Sequence, residues 1–122
     1  MKTLKVVRRT LGLVFGIQLL VGLALWVGLL APLVQAHRAI GLLYVLLLWT
    51  LAALALARRR AIALAAVTVV LGFFIAGLGF GQPRLLIGEY HWIVRVIHLA
   101  LGLAGMLTAA AIEARLTTAD QA

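Results

Sequence analysis

Four long apolar runs take up nearly the whole of this sequence: about Thr10 to Leu30, Leu33 to Ala57, Ala61 to Phe80 and Tyr90 to Ile112. Each matches the ~20 residues that carry an α-helix across a ~30 Å hydrocarbon layer. In such a layer every backbone N–H and C=O needs an internal partner, which leaves helices and closed barrels as the only spanning structures. No run alternates polar and apolar residues, and the chain is too short for a barrel of about eight strands. The expected fold is an all-α membrane protein, an up-down-up-down four-helix transmembrane bundle occupying residues 1–122 as one domain.

The charges say which way the bundle stands. Lys2, Lys5, Arg8 and Arg9 precede the first run, and Arg58-Arg59-Arg60 separate the second from the third. Basic clusters mark the cytoplasmic ends of spans. Both termini and the arginine turn are therefore expected in the cytoplasm, with the Pro32 turn and the Arg84–Glu89 loop facing outward. The Leu/Ala/Val/Arg-rich composition suits a bacterial inner membrane. A net charge of +8 does not point to nucleic acid, because there is no soluble module to carry a basic face. The first run is expected to stay as a span, since it exceeds the ~7–15-residue core of a cleaved signal.

Several chemistries are excluded by what is missing. The sequence has no cysteine, hence no disulfide, thiolate metal site or covalently attached haem. It also has no serine, and its acids are Glu89, Glu113 and Asp120, of which only Glu89 faces outward. Neither nucleophilic catalysis nor a carboxylate pair for acid–base work has residues to build it. A zinc or copper site would lack the carboxylates and thiolates that usually complete one.

Histidine is the residue that stands out. The phrase His37-Arg38-Ala39-Ile40-Gly41-Leu42 returns as His98-Leu99-Ala100-Leu101-Gly102-Leu103. Each copy lies near the outer start of the second helix of a hairpin, so the bundle reads as two repeated helical hairpins. A parallel repeat of this kind implies a pseudo-twofold axis along the membrane normal. Spans two and four are then diagonal, with both histidines at similar depth. Ionisable residues within a span are costly and usually functional, and two facing imidazoles meet the requirement of six-coordinate haem iron.

The expected site is one haem b near the outer face, with His37 and His98 as axial ligands. Gly41 and Gly102, one turn below on the same faces, would give the ring clearance. Arg38 and Arg95, with Arg84 nearby, would meet the propionates. His91, two turns outward of His98, would serve a propionate, a proton path or a quinone head group. The expected function is electron transfer with a quinone or a redox protein. The competing readings are a cofactor-free structural or assembly subunit and a haem-modifying enzyme. Blander expectations cover the rest: Gln18 and Gln35 as helix–helix hydrogen bonds, Tyr44 as filler, and Trp26, Trp49 and Trp92 as interfacial or packing residues. Gly12-x-x-x-Gly16 and Gly77-x-x-x-Gly81 are expected at close helix contacts.

Gln35-Ala36-His37-Arg38 resembles the glutamine-x-histidine-arginine phrase of the haem A synthase family. The stretch from Leu71-Gly72-Phe73-Phe74 to His98-Leu99-Ala100-Leu101 is similar to that family's third and fourth helices. The whole chain resembles one four-helix half of those eight-helix proteins, in which each half places a histidine on its second and fourth helices. That resemblance implies His37 and His98 as an axial pair. A homodimer would rebuild eight helices. The chain departs from the family's catalytic half at Val34, where the pattern has a glutamate, and in lacking the paired loop cysteines.

Overall fold

The computed structural model describes residues 2–29 and 31–119, so Leu30 and Asp120 lie outside the described residues. Four α-helices occur among the described residues: α1 (Lys2–Trp26), α2 (Val34–Ala57), α3 (Ile62–Gly81) and α4 (His91–Ala119). No strand occurs among the described residues, and all four helices are long and apolar enough to cross a membrane. Each helix packs on the next, and α1 packs on α4, closing the bundle. The helices α2 and α4 also meet across the centre, on the short diagonal. Short 3₁₀ turns, Ala31–Leu33 and Gln82–Arg84, lead into α2 and out of α3. Pro32 therefore sits just before α2 rather than in its first turn.

The second and third spans fall within a residue of their expected bounds, while the first and fourth shift for one shared reason. The helix α1 begins at Lys2, inside the basic segment, and α4 runs through Glu113 to Ala119, past the expected end at Ile112. Leu4, Val7, Leu11 and Val14 recur at helical spacing and are buried in the same cluster as Ile112 and Leu116. Those contacts extend α1 and α4 beyond the apolar runs. Arg8 Nε lies 2.8 Å from Glu113 Oε2, pinning α1 to α4. The pair is ionic without hydrogen-bond alignment, since Arg8 Nε is buried and has no aligned acceptor.

Two helices end in the same hydrogen-bonded motif, on different residues. After α1, Gly28 N–H donates to Leu25 O at 3.1 Å and Leu29 N–H to Ala24 O at 2.8 Å, with Gly28 at φ 81°. This is a Schellman cap, in which a left-handed residue lets the chain turn back on the last carbonyls. After α2, Arg59 N–H donates to Leu56 O and Arg60 N–H to Ala55 O, both at 2.9 Å. There the left-handed residue is Arg59, at φ 52°, and Ala61 follows at φ 51°. A side chain in that region costs about 1 kcal/mol or more. Arg59→Gly is accordingly expected to stabilise the protein by about 0.5–1 kcal/mol, read as a higher melting temperature in detergent.

Packing is uneven along the bundle. The buried residues of α1 lie in its first half and those of α2 and α4 mostly in their second halves, while those of α3 run from Ala65 to Ile75, past its midpoint. Most of these belong to the end that holds Lys2, Ala119 and the arginine turn. Towards the opposite end, the far end, the core gives out above Tyr44. The outward surface is apolar throughout, with Leu20 and Leu107 at 70% and 72% exposure. A monomer in water does not present so much contiguous apolar surface, whereas in hydrocarbon such a surface is solvated.

Candidate functional site: a cavity at the far end of the bundle

Where the packed half ends, the helices enclose a cavity of about 420 Å³. That volume falls within the 300–1,000 Å³ of typical small-molecule sites. Seven of the eight residues singled out from the sequence line it: His37, Arg38, Gly41, His91, Arg95, His98 and Gly102, while Arg84 does not. The rest of the wall is mainly aliphatic and aromatic, with Gln18 and Gln82 as further polar groups. Sequence spacing alone joined residues on one helix; the diagonal contact of α2 with α4 joins the two sets.

The two histidines reach the cavity from different heights on their helices. His37 lies in the first turn of α2, whereas His98 lies two turns into α4, which begins at His91. The repeated phrase therefore opens only one of the two helices. The rings lean on helices of their own hairpins. A Cβ on Gly22 of α1 would stand 3.0 Å from His37 Cε1, and one on Gly79 of α3 would stand 3.4 Å from His98 Cε1. These glycines make room for imidazoles, a role the sequence pattern did not single out. Nδ1 is buried without a partner in both His37 and His98.

Each remaining group has a definite local role. Gln18 Nε2 donates to His37 Nε2 at 3.2 Å. The same amide lies over Gly41, where an added Cβ would come within 2.7 Å of it. Tyr44, on the stripe of His37 and Gly41, donates its hydroxyl to Gly102 O at 2.8 Å and packs against Phe15 with ring centroids 5.5 Å apart. Its hydroxyl also lies over Gly105, where an added Cβ would meet it at 2.7 Å. Tyr44 thus forms the cavity floor and ties α2 to α4, more than filling space. Arg95 Nη1 donates to Trp26 O at 3.4 Å, the carbonyl of the last residue of α1. A cation there meets the negative end of the helix dipole. His91 Nδ1 donates to Leu85 O at 3.1 Å and so fastens the loop before α4. No hydrogen bond or ion pair engages Arg38 among the described residues.

Some packing expectations move to other residues. Nothing lies within 4 Å of a Cβ built on Gly16 or Gly77, and Gly12 meets only Arg8 of its own helix. Gly81 meets Leu85 of the following turn. Close helix approach occurs instead at Gly72, under the indole of Trp49, whose Nε1 donates to Val69 O at 3.2 Å. Trp49 is therefore a packing residue between α2 and α3. Gln35 is exposed and makes no side-chain hydrogen bond among the described residues. The glycines were indistinguishable in sequence because every helix face is apolar, leaving no polar face to mark the outside.

Fold and site together define a class: a four-helix bundle of membrane-length helices, packed at one end and open at the other around two histidines. No family model matches the chain, and no curated protein or solved structure shows significant similarity to it.

Proposed function

We propose that this protein is a multi-pass inner-membrane cytochrome that holds one haem b between His37 and His98 and transfers electrons. The observation that carries the proposal is the convergence of both histidines, two arginines and two glycines on one cavity. The basic clusters orient the packed end towards the cytoplasm and the cavity towards the outer face.

The residues suit the group in three respects. His37 and His98 each offer an imidazole from diagonal helices, and His98 makes no hydrogen bond among the described residues that it would have to give up. The mainly apolar wall would keep the iron from water and help set its potential. Arg38 and Arg95 supply cations for carboxylate side chains, with Arg95 able to exchange a 3.4 Å contact for a charge-assisted one. When bound, haem supplies a one-electron couple, and a quinone or a redox protein would be the exchange partner. The chain itself holds, orients and insulates.

A reduced-minus-oxidised visible spectrum of protein purified from haem-replete cells tests this reading. The expected result is a low-spin b-type difference spectrum. A folded, colourless preparation overturns it and favours a cofactor-free structural subunit.

A further inference from the structure

We infer that Gln18 is a positioning residue for His37: its amide caps the nitrogen that would ligate and holds the ring in the tautomer that ligation requires. The inference rests on the haem reading above.

With its amide nitrogen towards the ring, Gln18 donates to His37 Nε2 at 3.2 Å, an arrangement that puts the ring proton on Nδ1, itself buried without a partner among the described residues. That tautomer is the one whose Nε2 lone pair can bind a metal, and the partner of a ring nitrogen sets it. Gln18 is itself held in place by the absence of a side chain at Gly41, since a Cβ there would stand 2.7 Å from the amide nitrogen. Gln18 Oε1 is buried without a partner. The amide therefore sits in this hollow at the expense of one unsatisfied acceptor, and the bond to His37 is the polar contact that keeps it there.

The repeat sharpens the role by contrast. In the register that aligns His37 with His98, Gln18 corresponds to Gly79 and Tyr44 to Gly105. Gly79 lies against the His98 ring and carries no donor, and His98 makes no hydrogen bond among the described residues. One histidine is capped and its counterpart is open. His98 would hold the haem without giving up a hydrogen bond among the described residues, whereas His37 would have to exchange its bond to Gln18.

The test uses the whole chain, haem-free and then titrated with haem, in detergent micelles. With ¹⁵N-labelled histidine only three side chains report. In the native sequence His37 is expected as the Nδ1–H tautomer. Gln18→Leu removes the donor, and Gly41→Ala pushes the amide away while keeping it. Both are expected to shift His37 towards the other tautomer. Gln18→Leu frees Nε2 but also lets the ring take the non-ligating tautomer, so haem is expected to bind more tightly by at most about threefold, the factor that matches an average interhelical hydrogen bond in a membrane protein. An unchanged tautomer in both variants overturns the proposal, whatever haem does. A shifted tautomer with unchanged haem affinity overturns the cap as a control on ligation. If no variant and no native protein takes up haem, the haem reading fails, and the Gln18–His37 bond stands without that role.

Discussion

His98→Ala is expected to convert a six-coordinate low-spin b-type spectrum into a five-coordinate high-spin one, with haem still retained on His37. The double variant His37→Ala/His98→Ala is expected to purify without colour. The two imidazoles come from α2 and α4, which touch across the bundle, so removing one leaves the other helix and its ligand in place. Neither ring holds the bundle together: among the described residues His98 makes no hydrogen bond, and His37 bonds only to Gln18. Far-ultraviolet circular dichroism should accordingly remain native in both variants. Gln35→Ala serves as the control, since Gln35 is exposed and two residues from His37. A low-spin band that survives in the double variant would show that His37 and His98 are not the axial pair.

Gly72→Ala is expected to destabilise the bundle by about 3 kcal/mol, a large effect for one added methyl group. The new Cβ would land on Trp49 Nε1 and stand 3.0 and 3.1 Å from two ring carbons. The indole cannot yield cheaply. It donates to Val69 O and stacks on Phe73 with centroids 4.8 Å apart at 48°. Displacing it forfeits the hydrogen bond and the aromatic contact, and opens space between α2 and α3. Gly77→Ala, on the same helix with nothing within 4 Å, is expected to stabilise by about 0.5 kcal/mol through helix propensity alone. Unfolding in detergent by denaturant checks both. Equal behaviour of the two variants would mean that Trp49 does not pack over Gly72.

These two predictions depend on different parts of what the sequence makes legible. The histidine pair was readable because ionisable residues are rare in apolar runs, and because the same phrase appears twice. Gln18 is equally polar, yet no repeat marks it, and its bond to His37 spans two helices. The Trp49–Gly72 contact had no signal at all. Several glycines lie in the apolar runs, and nothing in the local sequence tells the one beneath an indole from those that face outward.

The sequence by itself determined the number of helices, their antiparallel order and the turns between them. Hydropathy, basic clusters and turn residues act locally, and the length of a span is set by the thickness it must cross. It also determined the residue types available to the site. Only the tertiary structure decided that the core lies at one end and the cavity at the other. It likewise decided that α1 and α4 extend to meet through Leu4, Leu116 and the Arg8–Glu113 pair. The reason is that these outcomes rest on how side chains fill space between helices, a property of pairs distant in sequence. In a chain whose helices are apolar on every side, no periodic pattern records those pairs.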